Sequence, residues 1–191
     1  MPSKFETPSL LRTLQKLVQT FEREKIDYML IGGLVLPAYG QIRTTQDIDI
    51  AITIKNIETL RHVFEELRKK NFEIPTTPNI DAACIYLFDR ENVVDVEVWQ
   101  RPDGVFFDKQ LLQRRTRLPL AETLVVWAIG PEDFIINKLA RKDRRVQDEA
   151  DVVSILFRQK DTLDENYLVR RAKEFEVLGL LEALKKKAQA T

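Results

Sequence analysis

Residues 31–50 read IGGLVLPAYGQIRTTQDIDI, and the order of parts in this stretch decides the fold. A short apolar run, Tyr28 to Ile31, stops at Gly32 and Gly33; a second, LVLPAYG, begins at once and closes on Gly40. This punctuation predicts a strand, a tight turn and a short helix. From Asp47 to Ile54 carboxylates and small residues then alternate with isoleucine. Neighbouring side chains on a strand point to opposite faces, so the isoleucines face a core while Asp47 and Asp49 share the open side.

Outward from this stretch the pattern stays regular. Upstream, Leu10, Leu11, Leu14, Leu17, Val18 and Phe21 recur at helical spacing from Ser9 to about Lys25, with Arg12, Lys16, Glu22 and Arg23 on the outer side. Downstream, Leu60, Val63, Phe64 and Leu67 predict a helix over 57–70, and His62, beside that stripe, reads as a surface residue. Two apolar runs, Ala83 to Phe88 and Val93 to Trp99, flank turn residues 89–92 and predict an antiparallel hairpin. On its second strand the valines take one face, and Asp95 and Glu97 take the other. Residues 115–129 predict another hairpin around Ala121 and Glu122, with Pro119 arguing for an edge position. After Gly130 the pattern is helical only: PEDFIINKLAR opens with proline at a first helical position and acids in the first turn. Further helices are predicted over 146–157, 165–175 and 177–187, with 160–164 as a connector. The chain is therefore expected to divide into a core of residues 1–130 and a helical subdomain of residues 131–191.

Composition limits what this chain does. With 191 residues, 44% of them hydrophobic, it has enough apolar surface to bury a core. Thirty basic residues balance thirty acidic ones, so any anionic partner must be held by a local patch. The single cysteine, Cys84, has no internal disulfide partner and sits in an apolar strand, where it reads as an inert thiol. No apolar run approaches the ~20 residues of a membrane span, and MPSKFETP lacks the regions of a signal peptide. A cytoplasmic protein is the expectation.

Two carboxylates at i and i+2 on a strand lie roughly 6 to 7 Å apart at the backbone, close enough to converge on one hard cation. Magnesium takes oxygen ligands at about 2.0 to 2.1 Å and keeps places for water and substrate phosphate. A third carboxylate from a neighbouring strand would allow two metals about 3.5 to 4 Å apart. Asp95 is the choice for that third position, with Glu97 its competitor on the same strand and face. Gly32 and Gly33 allow the backbone to approach a phosphate, and the start of the following helix offers amide hydrogens. The glycines match neither a dinucleotide turn nor a P-loop.

These residues resemble the nucleotidyltransferase superfamily related to DNA polymerase beta. Its signature is a hydrophobic residue, Gly, Gly or Ser, a spacer and then Asp-hydrophobic-Asp-hydrophobic, matched by Ile31-Gly32-Gly33 and Asp47-Ile48-Asp49-Ile50 across thirteen residues. A narrower resemblance is to the small bacterial and archaeal branch that contains abortive-infection type toxins. It rests on Gly40, Arg43-x-Thr45-x-Asp47-x-Asp49, Lys138 and Arg145-x-x-Asp148-x-x-Asp151. The resemblance implies an α/β (α+β) fold: a mixed β-sheet core flanked by helices, with a C-terminal helical subdomain. It implies magnesium, for which manganese can substitute, and a nucleoside triphosphate (NTP) donor. The acceptor would be a hydroxyl of RNA, tRNA included, or of protein. Asp47, Asp49 and Asp95 would hold the metal, Gly32, Gly33, Arg43 and Thr45 would receive the nucleotide, and Lys138 would contact the triphosphate. Asp148 and Asp151 would lie near the cleft or pair with Arg145 or Arg144 on a helix surface. In a toxin and antitoxin pair, the antitoxin would be a further partner.

Bland readings compete. An Asp-x-Asp strand is often a solvated face, Arg43 suits a structural salt bridge, and Thr45 suits a local backbone bond. The basic run Arg141, Lys142, Arg144, Arg145 fits an RNA patch or an ordinary helix end. At the level of function the competitors are a non-catalytic nucleotide- or protein-binding module on the same fold, and an antibiotic-modifying nucleotidyltransferase with an acidic acceptor pocket.

Overall fold

The computed structural model describes residues 8–41, 44–77, 79, 81–100 and 109–190. Helix α1 (Ser9–Arg23) leads into strand β1 (Tyr28–Leu30), a 3-10 helix (Gly33–Tyr39) and strand β2 (Asp47–Ile52). Helix α2 (Ile57–Arg68) precedes β3 (Phe72–Glu73), β4 (Cys84–Asp89) and β5 (Val94–Trp99). Then come α3 (Lys109–Arg114), β6 (Thr116–Ala121) and β7 (Leu124–Ala128), and after them α4 (Pro131–Ala140), α5 (Val146–Arg158), α6 (Glu165–Glu174) and α7 (Leu178–Gln189). The strands form one mixed sheet in the order β3-β4-β5-β2-β1-β7-β6. This is the helix-flanked mixed sheet that the sequence predicted. The short elements β3 and α3 were not legible there.

Both hairpins form, β4 with β5 and β6 with β7. Pro119 lies on β6 at the end of the sheet, where its missing N–H breaks no inner ladder, and the register shifts between Pro119 and Ala121. The pairing that matters for function is β2 with β5. They run parallel, and Asp47 stands opposite Asp95, Asp49 opposite Glu97.

Alternation on these strands does what the sequence requires. Ile48, Ile50, Val96 and Val98 are buried, joined by Leu14, Leu17 and Phe21 of α1 and by Leu60, Val63, Phe64 and Leu67 of α2. Each such side chain contributes roughly 1.5–3 kcal/mol on burial. Asn56 caps α2 by accepting from the Thr59 amide at 2.9 Å. The same core continues into the last helices through Phe134, Ile135, Val152, Ile155, Leu168 and Leu181. Thus the helices beyond residue 130 share one hydrophobic core with the sheet. Among the described residues, no helix is long and apolar enough to cross a membrane.

One buried acid fastens α1 to the β4–β5 hairpin. Asp89 accepts from Thr13 Oγ1 at 2.7 Å, Asn92 Nδ2 at 2.8 Å, and Lys16 Nζ and the Glu91 amide at 3.1 Å. Burial works to raise its pKa, but the bonds from Asn92, Thr13 and Lys16 outweigh it and hold the carboxyl below the usual aspartate value. A depressed folded-state pKa gives stability above the ordinary aspartate value and loses it as pH falls through the depressed one. Asp89→Ala is expected to cost about 3 kcal/mol in urea unfolding at neutral pH, and the gap to wild type should narrow as the solution is acidified. An equal gap at all pH values would show that the carboxylate charge contributes nothing.

Candidate active site

Asp49 is the most constrained of the acids. It is set against Gly32: a Cβ built on Gly32 would lie 1.9 Å from Asp49 Oδ2 and 2.5 Å from its Cβ and Cγ. Gly32 has φ −94°, which any residue adopts, so the glycine answers a need for space and not for backbone freedom. Next to it, a Cβ on Gly33 would meet Thr45 Oγ1 at 2.9 Å. The diglycine therefore seats Asp49 and Thr45. Thr45 in turn donates to Asp47 Oδ1 at 2.7 Å, and the Trp99 indole N–H reaches Asp49 Oδ1 at 3.4 Å. At the far end of the 3-10 helix, Gly40 takes φ +88°, the left-handed conformation that ends the helix and turns the chain toward β2.

Asp47, Asp49 and Glu97 line one cavity open to solvent, together with Gly33 and Thr45. Its opposite wall comes from α4 and the start of α5: Lys138, Arg141, Arg145, Gln147 and Asp148. Burial raises the Asp49 pKa, and the charge of Asp47 raises it further. Glu97 is pushed above the ordinary carboxylate range by burial and then by the charge of Asp49, with which it shares a hydrogen bond. Asp95 is exposed and lies opposite Asp47, two register pairs along from this contact; it is not among the residues lining the cavity. Of the two acids weighed for the third position, Asp95, the sequence choice, thus stands beside Asp47 at the exposed end, and Glu97 lines the cavity beside Asp49.

Lys138 is expected at the cleft, and it lines the cavity. Its ammonium bonds Asp148 Oδ1 at 2.7 Å and stands 3.8 Å from Asp151 Oδ2. Burial works to raise the Asp148 pKa, but Lys138 and the Arg145 amide, 2.9 Å from Asp148 Oδ2, hold it low. Asp151 is fully buried and also accepts from Gln147 Nε2 at 2.9 Å and Gln41 Nε2 at 3.1 Å. Both acids therefore hold the cationic wall in place; Arg144 pairs with Glu149 instead. Arg43 lies outside the described residues. His62 is exposed and bonds Glu24, away from the cavity.

Among the described residues, no three His, Cys, Asp or Glu side chains are grouped closely enough to hold a metal ion by themselves. A divalent cation nevertheless suits the donor set. Magnesium is commonly bound by one or two carboxylates plus substrate phosphates. Burial first and then the charge of Asp47 raise the Asp49 pKa, and a cation between the two carboxylates would offset both.

Three residues at the cleft were not singled out in the sequence: Gln147, which lines the cavity, and Trp99 and Asn137, which line a smaller recess beside Asp49. Trp99 could have been found, because it lies two positions beyond Glu97 and so shares its face. Asn137 and Gln147 carry no local signal, since only packing of α4 and α5 on the sheet brings them in.

The family described as nucleotidyl transferase of unknown function (DUF2204) matches residues 10–185. Among solved structures, an antigenic nucleotidyltransferase-like protein from Paracoccidioides brasiliensis is similar with a TM-score of 0.54 and 20% identity, over 92% of each chain. Lincosamide antibiotic adenylyltransferase LnuA, lincomycin-bound, gives 0.53 at 16% identity, over 75% of this chain and 94% of its own. Antibiotic-resistance factor ANT(2'')-Ia gives 0.55 at 12% identity, over 91% and 95%. At such identities the likeness is one of fold. No curated protein matches the chain in sequence.

The contact between Gly32 and Asp49 can be tested by a double-mutant cycle. Gly32→Ala is expected to cost about 1–3 kcal/mol in urea unfolding, the range for overpacking. In an Asp49→Gly background the same change should cost less than half as much. Equal costs in both backgrounds would mean that Asp49 is not what excludes a side chain at position 32.

Proposed function

The chain belongs to the nucleotidyl transferase family that matches residues 10–185, and on that premise we propose that it moves a nucleotide from a nucleoside triphosphate to an acceptor hydroxyl, releasing pyrophosphate. One observation carries the reading: acids on β2 and β5 face cations on α4 and α5 across a single cavity. Lys138, Arg141 and Arg145 supply the positive wall that a triphosphate requires, and Gly33 keeps the opposite floor low.

Asp47 and Asp49, with Glu97 beside them, would hold a divalent cation, magnesium or manganese. When bound, the cation neutralises phosphate charge and eases attack at the α-phosphorus. The chain's own residues do the rest. Thr45 orients Asp47 and Trp99 orients Asp49. Lys138, steadied by Asp148 and Asp151, bears on the departing pyrophosphate. Glu97 is placed to take the acceptor's proton as the new P–O bond forms and the bond from the α-phosphorus to pyrophosphate breaks. In this reading the division at residue 130 separates the strands that bear acid from the helices that bear cations.

For the acceptor, the register sets out three rows across the sheet face: Phe88–Asp95–Asp47, Tyr86–Glu97–Asp49 and Cys84–Trp99–Ala51. No lysine or arginine occurs in them, which favours a protein or small-molecule hydroxyl over RNA, whose phosphates would meet carboxylates. A small-molecule acceptor accords with the lincomycin bound to LnuA and the adenylyl-2''-tobramycin bound to ANT(2'')-Ia. A protein acceptor accords with the toxin of a toxin and antitoxin pair.

Pyrophosphate release is the measurement, with each of the four triphosphates, magnesium, and panels of protein, RNA and amino-sugar acceptors. Asp47→Ala and Asp49→Ala should each lower turnover by about 100-fold or more. Glu97→Gln should fall similarly, while Asp95→Asn keeps most of the rate. If nucleotide binds with magnesium and no pyrophosphate appears with any acceptor, the chain is a binding module on the same fold. If Asp95→Asn is the variant that fails, the third carboxylate is Asp95.

A further inference from the structure

Two cavities meet at Asp49, and they differ in character. The larger is lined almost wholly by charged and polar side chains and suits a triphosphate. The smaller is an open recess that adjoins it: Ile31, Gly32, Trp99 and Asn137 line it, and Asp49, Lys138 and Arg141 line both. The transfer reaction as derived above places phosphates in the first and leaves the second without a role. Its lining is mixed. Ile31 closes the end of β1 with apolar surface, the Trp99 indole is held by its bond to Asp49, and Asn137 on α4 carries an amide with both donor and acceptor. An aromatic ring beside a side-chain amide is what a flat heterocycle needs, one to stack on and one to read its edge.

We infer that this smaller cavity holds the nucleobase of the donor triphosphate, stacked on Trp99 and read by Asn137, so that one nucleotide spans both cavities with its α-phosphorus beside Asp49. The shared lining favours the donor over the acceptor as the source of the base. Lys138 and Arg141 border both spaces, so a molecule that fills the smaller one and continues past them is anionic on the other side. The acceptor has a separate approach over the acidic rows of β4 and β5, where Tyr86 is 66% exposed. Trp99 and Asn137 are then the residues that set donor specificity. The inference rests on the nucleotidyl transfer reading.

The chain has two tryptophans, and Trp127 packs on Arg115 and Arg117, outside both cavities. Trp127→Phe therefore leaves Trp99 as the only tryptophan, read by exciting the indole at wavelengths too long for tyrosine. With magnesium present, at least one of ATP, GTP, CTP and UTP should change Trp99 emission. Inorganic tripolyphosphate should compete for the site without that change. Trp99→Ala should weaken binding of the preferred triphosphate about tenfold, within the ~1–3 kcal/mol of a stacked base, and leave tripolyphosphate affinity as it was. Trp99→Phe, which keeps a ring but loses the N–H to Asp49, should restore most of the affinity. Asn137→Ala should flatten the preference among the four triphosphates. Equal weakening of triphosphate and tripolyphosphate by Trp99→Ala, or no weakening of either, overturns the base site while leaving nucleotidyl transfer standing. A nucleoside that binds at Trp99 without competing with the triphosphate also overturns it, because the cavity would then take an acceptor base. If neither triphosphate nor tripolyphosphate binds wild type in magnesium, the transfer reading falls as well.

Discussion

Placing a carboxylate where a methyl group would otherwise fit is the constraint on which this site depends. Asp49 occupies the space that any side chain at position 32 would claim, with Oδ2 only 1.9 Å from where a Cβ would stand. Ionised carboxyls do not enter such places without compensation, since desolvation disfavours the charged form. The compensation within the chain is partial: an indole N–H at 3.4 Å and a hydrogen bond shared with Glu97. Its pKa is raised accordingly, and Asp47 raises it further. Lys138, on the facing wall of the cavity, offsets part of this.

The helices carry the other half of the electrostatics, and they carry it already neutralised. Lys138 is paired with Asp148 and stands near Asp151, and both acids are buried. Such pairing has a cost in attraction for substrate phosphate, but it fixes the ammonium's position, and a long flexible side chain otherwise loses entropy on each binding event. Asp151 also binds Gln41, at the end of the segment leading to β2, and Gln147, on the cavity wall. One buried carboxylate thus ties α4, α5 and the approach to the Asp47 strand together. Asp148, accepting from the Arg145 amide, ties the cation to the first turn of α5 as well.

Much of this arrangement was legible in the sequence, and the remainder failed for identifiable reasons. Alternation in DIDIAITI and VVDVEVW gave the acid faces correctly, because a period of two needs no tertiary information. The choice between Asp95 and Glu97 could not be made that way, since both share one parity; it depends on how β5 slides against β2. The observed register sets Glu97 beside Asp49, where burial and the α4 wall act on it, and leaves Asp95 beside the exposed Asp47. In the sequence Gly32 reads as room for a phosphate; that it also makes room for the acid seventeen positions later is hidden there, because the two meet only once β1 and β2 pair. The sheet order was equally hidden, because β5 reaches β2 past α2 and two intervening strands. The two-residue β3 is too short to show a period at all.

Three buried or half-buried acids show why a displaced pKa does not by itself mark an active centre. Asp89 is fully buried, yet four donors hold its pKa low, and it behaves as a rivet between α1 and the hairpin. Asp133 is raised to about 6, chiefly by burial, yet Tyr167 donates to it at 2.7 Å and the buried Arg171 stands 3.6 Å away. It lines neither cavity, and its strain is contained inside the helical half. Asp49 differs from both in combining a raised pKa, a second carboxylate that repels it and an opening to solvent faced by cations. Among the described residues Asp133 Oδ2 is buried without a hydrogen-bond partner, so its raised pKa is strain enclosed by the helices, whereas Asp49 opens on a cavity lined by cations. That distinction, between an acid enclosed by the fold and one that opens on a cavity faced by cations, lies in the surroundings of the carboxyl and not in the size of its pKa displacement.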